Sequence, residues 1–176
     1  MPKVIAINGS PEKSGRTAKF LTMLNIKDVF HLAENITPAL EAIPGADTVV
    51  FATPVLWFNV SSLMKEMIER MEEGPDFPYE GKSAFFVAIC DEDGAQQAIN
   101  QMMAPLNHMG FSVPPYASYI FNTSMANRSE DEWMLVGIDE LGERLKSFQR
   151  QNMPALPGQR RRGWGKRGTA LLRKNK

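Results

Sequence analysis

A loop of small and hydroxyl-bearing residues follows the first apolar segment of the chain. From residue 8 to residue 17 it reads NGSPEKSGRT, and it connects a predicted strand to a predicted helix. At such a junction, backbone N–H groups and the positive end of the helix converge, and Ser or Thr hydroxyls complete an anion site. Phosphate is the anion that this pattern favours. The candidate binding residues are Ser10, Glu12, Ser14, Gly15, Arg16 and Thr17.

Two large aromatic residues occupy a second loop, which follows the apolar segment 48–52. The loop reads TPVLWFN from residue 53 to residue 59. Exposed Trp57 and Phe58 beside a phosphate site indicate a flat ring that stacks or leans on them. A phosphate at one end and a flat ring at the other describe a mononucleotide, and flavin mononucleotide (FMN) fits this description. The candidate ring-binding residues are Pro54, Val55, Leu56, Trp57, Phe58 and Asn59.

An acidic third loop follows the apolar segment 83–90. We predict that its residues Asp91, Asp93 and Gly94 lie at the far edge of the ring. Cys90, at the end of the preceding strand, is interpreted as a small core residue rather than a nucleophile. No residue is assigned as a catalytic acid, base or nucleophile, and no set of residues is assigned as metal ligands.

Strands and helices alternate along the chain, which predicts an α/β fold with a mostly parallel sheet. Ligands of such sheets bind beyond the carboxyl ends of the strands, so we expect the three loops to meet there. Pro105 is expected to kink its helix and Gly110 to cap it. The predicted strands are 3–8, 28–32, 48–52, 83–90 and 116–121, and the predicted helices are 17–24, 37–42, 60–71, 98–106 and one starting at the capping box of Ser129.

Two motifs resemble signatures of the flavodoxin-like NAD(P)H-dependent FMN reductase and quinone reductase family. The first, GSPEKSGRT at residues 9–17, is similar to the family's G-S-P-R-x-x-[GS]-N-T loop. The second, TPVLWFNVSSLMKEMIER at residues 53–70, is similar to T-P-V-Y-W-x-x-[VM]-[SP]-x-x-[LM]-K-x-[FLM]-[IL]-[DE]-R. The second match is long and specific, and the resemblance covers roughly residues 2–150.

The resemblance implies a flavodoxin-like, doubly wound, five-stranded parallel sheet in a three-layer sandwich that binds FMN non-covalently. It implies electron transfer from NADH or NADPH to a quinone, a flavin or a similar small acceptor, in a homodimer or tetramer. Several features depart from the family pattern. Glu12 stands where the family often has Arg, Arg16 replaces the usual Asn, and the segment between residues 17 and 53 is shorter than usual. The third loop is acidic where relatives are often Gly-rich, and the cysteine-bearing insert of iron–sulfur relatives is absent.

The composition is that of an ordinary globular protein of one domain, with 176 residues, 43% hydrophobic and 23% charged. A single cysteine excludes an intrachain disulfide and zinc sites built on several cysteines. The sequence contains no apolar run of about 18 residues and no recognisable signal peptide. We therefore expect a cytoplasmic protein without a membrane span.

The net charge of zero divides unevenly along the chain. Residues 159–176 contain eight basic residues and no acidic ones, which leaves residues 1–158 with a net charge of −8. We predict an FMN-binding domain over residues 1–152, followed by a Pro/Gly linker and a basic, mobile tail over residues 153–176. The tail could remain solvated, contact the acidic domain, or bind nucleic acid or an anionic lipid surface.

Two other functions stay open at this point. A P-loop-like nucleotide hydrolase would use residues 9–17 as its phosphate loop, but five residues rather than four separate Gly9 from Gly15, and Arg16 replaces the required Lys. A non-catalytic flavodoxin-like module with an anion-binding tail is favoured by the charge imbalance, whereas the intact second motif counts against it.

Overall fold

The computed structural model describes residues 3–72, 79–124 and 130–150. The linker and basic tail predicted from residue 153 onward, and Ser129 of the predicted capping box, lie outside the described residues. The strands are β1 Val4–Asn8, β2 Asp28–His31, β3 Thr48–Pro54, β4 Ser83–Cys90 and β5 Ser118–Asn122. The helices are α1 Arg16–Met23, α2 Thr37–Ala42, which continues as a 3₁₀ turn over Ile43–Gly45, α3 Ser62–Glu72, α4 Ala95–His108 and α5 Glu130–Arg150.

The five strands form one parallel sheet in the order β2-β1-β3-β4-β5. Parallel sheets are covered on both faces, so their strands are apolar along their whole length. Strand β4, which lies between β3 and β5, shows this directly, because all eight of its residues are buried. The order is that of a flavodoxin-like doubly wound sheet, and the predicted fold class is confirmed.

The core consists of two apolar clusters on opposite faces of the sheet. One contains Ile5, Phe51 and Phe86 with residues of α2, α3 and α4. The other contains Val50 and Phe85 with residues of α1 and α5. Alternate residues of each strand thus enter different clusters, as the two-residue period of a strand requires. The result is three layers, with helices on both faces of the sheet.

The structure differs from the sequence prediction at several element boundaries. Strand β5 begins at Ser118 rather than at residue 116, because Tyr116 has a left-handed backbone with φ of +57° that a strand does not allow. Helix α4 continues through Pro105 to His108, and Gly110, with φ of +109°, lies one residue beyond the C-cap Met109. No helix in the described part of the chain is long and apolar enough to cross a membrane.

Candidate functional site

Three loops meet at the carboxyl edge of the sheet. The first loop is residues 9–15, the second is residues 55–61 and the third is residues 91–94; they follow β1, β3 and β4, which are neighbours in the sheet. From β1 the chain moves outward to β2 and then returns to the other side of β1 as β3. A doubly wound sheet binds its ligand at such a switch point, so these loops form the candidate site.

Local hydrogen bonds shape the first loop. The fully buried Asn8 accepts at Oδ1 from the Ser10 N–H at 2.9 Å, and Ser10 Oγ accepts from the Glu12 N–H at 3.0 Å. The Glu12 carboxylate turns back toward Gly15, since a Cβ added there would lie 2.9 Å from Glu12 Oε2. An anion therefore lies beside the N-terminus of α1, where it suits the helix dipole and would repel a phosphate.

The N-terminus of α1 begins at a residue that has no side chain to cap it. The N-cap residue, Gly15, has an extended backbone and makes no side-chain cap hydrogen bond. Thr17 is buried in the first turn, and Ser14 is exposed just before it. A helix leaves its first N–H groups without intrahelical acceptors, so this end provides donors for an external anion.

Ser61 joins the first and second loops, a role that the sequence analysis missed. Its buried hydroxyl donates to the Gly9 carbonyl oxygen and accepts from the Met64 N–H at 3.1 Å, which caps α3. The Ser61 N–H donates to Thr53 Oγ1 at 3.1 Å. A serine just before an apolar helical stripe is a recognised N-cap signal and could have identified this residue.

The aromatic pair of the second loop forms the corner of a tight turn. Leu56 and Asn59 exchange two backbone hydrogen bonds, of 2.9 and 3.0 Å, and the two residues between them are Trp57 and Phe58. Both have left-handed backbones, with φ of +49° and +64°, as a type I′ turn requires. Such turns favour Asn-Gly, so two aromatic residues here carry backbone strain on the order of 1–3 kcal/mol each.

This strained turn presents its aromatic side chains to solvent. Trp57 is 91% exposed and Phe58 is 53% exposed. The Asn59 side chain supports the turn by donating to the Trp57 carbonyl oxygen at 2.6 Å. Gln101 of α4 holds the other side, donating to Asn59 Oδ1 at 2.8 Å and accepting from the Val60 N–H at 3.0 Å. The turn is thus braced from the helix that follows β4.

Gly94 brings the second and third loops together. Its φ is +90°, and a Cβ added to it would lie 2.7 Å from Phe58 Cα and 3.1 Å from Val55 Cγ1. Only glycine fits both the left-handed backbone and this close approach. The predicted neighbourhood of the third loop and the aromatic loop is therefore present in the structure.

Arg16 connects the first loop region to the third loop. Its guanidinium Nη1 forms an ion pair with Asp91 Oδ1, and the Thr123 hydroxyl donates to the same oxygen at 2.8 Å. These two hydrogen bonds, the one from Arg16 first, hold the pKa of the Asp91 carboxyl below its usual range. Arg16 thus contacts the third loop here, although the sequence analysis assigned it to a phosphate.

The remaining predicted residues lie on these loops with less direct contacts. Pro54 ends β3, Leu56 is exposed beside the aromatic pair, and Asp93 is exposed on the third loop. Cys90 is buried as expected, and burial raises the pKa of its thiol, with the Asp91 and Asp93 charges adding to the effect. Within the described residues no three His, Cys, Asp or Glu side chains cluster in a way that could hold a metal ion.

Solved structures share this fold. RosB with a bound riboflavin-phosphate intermediate is 15% identical, with a TM-score of 0.66 over 100% of this chain and 88% of that chain. The apo form of the NADH:FMN oxidoreductase EMOB is 20% identical, with a TM-score of 0.62 over 90% of this chain and 97% of that chain. A flavodoxin, WrbA-like protein from Agrobacterium tumefaciens is 13% identical, with a TM-score of 0.63 over 84% of this chain and 99% of that chain. At these identities the likeness establishes the fold.

The sequence itself assigns the family. No curated protein matches the chain, but residues 25–126 match the family model described as NADPH-dependent FMN reductase. The matched segment spans more than half of the chain and includes the second and third loops. The fold, the loop motifs and this match agree: the chain belongs to the NADPH-dependent FMN reductase family.

Proposed function

We propose that this chain binds FMN between its three loops and passes electrons from NADH or NADPH to a quinone, a flavin or a similar small acceptor. The observation that carries the proposal is the N-terminus of α1, whose N-cap residue Gly15 makes no side-chain cap hydrogen bond and which lies at the β1/β3 switch point. Family membership supports a flavin-dependent oxidoreductase.

The first loop fits the phosphate of FMN. Ser10 Oγ already accepts from the Glu12 N–H, so its own proton is available for donation. Thr17 and the first-turn N–H groups supply further donors, and the helix dipole favours a negative charge there. A hydrogen bond to a charged group contributes about 1.5–3 kcal/mol, which outweighs the cost of one exposed carboxylate such as Glu12, since exposed charges interact by about 1 kcal/mol or less.

The second and third loops fit the flat ring. Trp57 and Phe58 present aromatic surface to solvent at the cost of a strained turn, and the turn is braced by Asn59 and Gln101. Strain that the surrounding structure holds in place is a feature of ligand sites. The contact between Gly94 and Phe58 keeps the loops closed on each other, so the ring surface is preformed.

The chain's contribution to the reaction is binding, orientation and electrostatics. When bound, FMN supplies hydride acceptance and electron transfer as its own chemistry. The first loop and α1 hold the phosphate, the second loop orients the ring, and the third loop places carboxylates at the ring edge. No side chain of the chain is required as an acid, base or nucleophile.

The donor, the assembly and the location are parts of the same proposal. NADPH is the donor that the family description names, and NADH remains the other candidate. A homodimer or tetramer would cover exposed aromatic surface at Trp57, which favours association. A cytoplasmic location accords with a buried, unpaired Cys90. No observation favours the nucleotide-hydrolase alternative, since the sheet order is the flavodoxin-like one.

Consumption of NADH and NADPH tests this function. The purified chain is supplied with FMN and a soluble quinone, and oxidation of each nicotinamide is followed by absorbance. We expect oxidation that depends on both the protein and FMN and that falls at least ten-fold in the Ser10→Ala/Thr17→Ala variant. Oxidation no faster than that with free FMN alone, together with ATP hydrolysis by the protein, would contradict the proposal.

A further inference from the structure

A side-chain pair next to the first loop joins the buried Asn8 to the half-buried His31, a histidine for which the sequence analysis assigned no role. His31 ends β2 and lies opposite Asn8 in the register of β1 and β2. Asn8 Nδ2 and His31 Nδ1 are 3.0 Å apart. The other end of the same amide accepts from the Ser10 N–H at 2.9 Å. The Asn8 side chain thus contacts both His31 and the backbone of the first loop, which is the proposed phosphate loop.

The hydrogen bonds of Asn8 match one form of the His31 ring. The Ser10 N–H can only donate, so the Asn8 atom that faces it must be the amide oxygen. The amide nitrogen therefore faces His31 and donates to Nδ1. Nδ1 must then be an acceptor, which requires a neutral imidazole that carries its proton on Nε2.

We propose that His31 is a positioning residue for the phosphate loop, which in its neutral form orients the Asn8 amide and thereby the loop at Ser10; the proposal rests on the proposed FMN site. A proton on Nδ1 would set two donors against each other across 3.0 Å. If the Asn8 amide rotates to relieve this, its nitrogen faces the Ser10 N–H, which loses its acceptor. Asn8 is fully buried, so water cannot easily replace the lost bond. The affinity of the loop for phosphate is therefore expected to fall as His31 gains a proton.

Few charged residues surround the His31 ring in the described part of the chain. Glu34, in the turn after β2, interacts with His31 but forms its ion pair with Lys13 of the first loop at 3.0 Å. Strand β1 carries no charged residue, and α2, which packs against β2, carries only the exposed Glu41. The positive charge of Lys13 thus offsets the negative charge of Glu34 beside His31. His108, the only other histidine of the chain, ends α4 and serves as a matched control.

Two measurements test the proposal, using His31→Gln and the control His108→Gln. The first follows the Ser10 amide signal by NMR in flavin-free protein between about pH 5 and pH 8, where histidine changes charge. The signal should shift in step with the His31 ring signals in wild type and in His108→Gln, and it should not shift in His31→Gln. A Ser10 amide that stays constant while His31 titrates overturns the proposal.

The second measurement is FMN affinity over the same pH range. The FMN phosphate also titrates near pH 6, but comparison with His31→Gln cancels that contribution. Wild type should lose roughly five-fold more affinity than His31→Gln on acidification, the equivalent of one hydrogen bond. Equal losses overturn the proposal. Absence of FMN binding at every pH contradicts the proposed function instead, and the amide titration still decides the role of His31.

A second variant covers the case in which His31→Gln does not fold. In Asn8→Asp, a carboxylate can accept both from the Ser10 N–H and from a protonated His31. The Ser10 amide signal should then stay in its bonded position at acidic pH, unlike in wild type. A Ser10 signal that shifts on acidification in Asn8→Asp as it does in wild type contradicts the proposal.

Discussion

Arg16 and Asp91 form an ion pair across the mouth of the candidate site, although 75 residues separate them in the sequence. The pair links the N-terminus of α1 to the third loop. Its side chains are 40% and 70% exposed. The cation next to the phosphate loop is therefore held by a carboxylate of the chain, and a phosphate must compete with Asp91 for it.

Asp91→Asn should strengthen FMN binding. The substitution removes a negative charge near the phosphate and the ion pair that competes with the phosphate for Arg16. Because the pair is exposed, the gain should be about two- to five-fold at low salt, and it should shrink as salt screens the charges. Titration of FMN at low and high salt measures it. Asp93→Asn is the matched control, since it removes the same charge from the same exposed loop. An equal gain in both variants would show that the ion pair with Arg16 is irrelevant.

The same pair predicts a pH dependence of stability. The pKa of Asp91 is lowered in the folded chain, chiefly by Arg16 and then by Thr123. A lowered folded-state pKa stabilises the fold above the unfolded carboxyl range, near about 3.9, and this contribution is lost as pH falls through the lowered value. At neutral pH, the free energy of unfolding measured in urea should be higher for wild type than for Asp91→Asn by at most about 1 kcal/mol. A difference that persists under strongly acidic conditions would refute this.

Replacing the aromatic pair should stabilise the fold and weaken the site. Asn-Gly is the preferred sequence of a type I′ turn, so Trp57→Asn/Phe58→Gly relieves strain at two positive-φ positions and should raise the free energy of unfolding by about 1 kcal/mol or more. FMN affinity should fall about ten-fold, since an aromatic contact is lost. Urea unfolding and FMN titration measure the two effects.

Tyr116→Asn is the control for the aromatic pair. Tyr116 is also exposed with a positive φ, but it precedes β5, away from the three loops, and contacts Arg144. FMN affinity should not change in this variant. Unchanged FMN affinity in the Trp57→Asn/Phe58→Gly variant would remove the second loop from the site.

Gly94→Ala should disrupt the contact between the second and third loops. The new Cβ would lie 2.7 Å from Phe58 Cα, so the loops must separate, and overpacking of this kind costs about 1–3 kcal/mol. Gly81→Ala is the matched control, because Gly81 also has a positive φ, of +81°, but has no atom within 4 Å of the added Cβ. Both variants share the backbone strain. Equal losses of stability and of FMN affinity would mean that the Phe58 contact plays no part.

Local patterns in the sequence predicted most of the elements. The bounds of β4 and α2 match their predictions at both ends, because β4 is a continuous apolar run and α2 begins with Thr-Pro, which suits a helix start. The exposure of Trp57 and Phe58 follows from their position after a buried strand. These features depend on neighbours within a few residues, which a sequence displays directly.

Long-range contacts could not be predicted in this way. The bonds of Gln101 to the second loop, of Asn8 to His31 and of Arg16 to Asp91 join residues that are 23 to 75 positions apart. They depend on strand register and on the side-chain rotamers of two elements at once, which no local pattern specifies. The sequence also did not predict the left-handed turn at Trp57, because aromatic residues do not normally indicate a type I′ turn.

Titration of the protein with FMN and with riboflavin, followed by flavin fluorescence, tests the central claim most directly. The two ligands share the ring and differ in the phosphate. The account predicts saturable binding of FMN, with riboflavin at least about 100-fold weaker, since the loss of two charge-assisted hydrogen bonds costs about 3–6 kcal/mol. The difference between the FMN and riboflavin affinities should be smaller in Ser10→Ala/Thr17→Ala, because those hydroxyls are proposed to donate to the phosphate. Equal affinities for the two flavins, or binding of neither, would contradict the assignment of the first loop as a phosphate site.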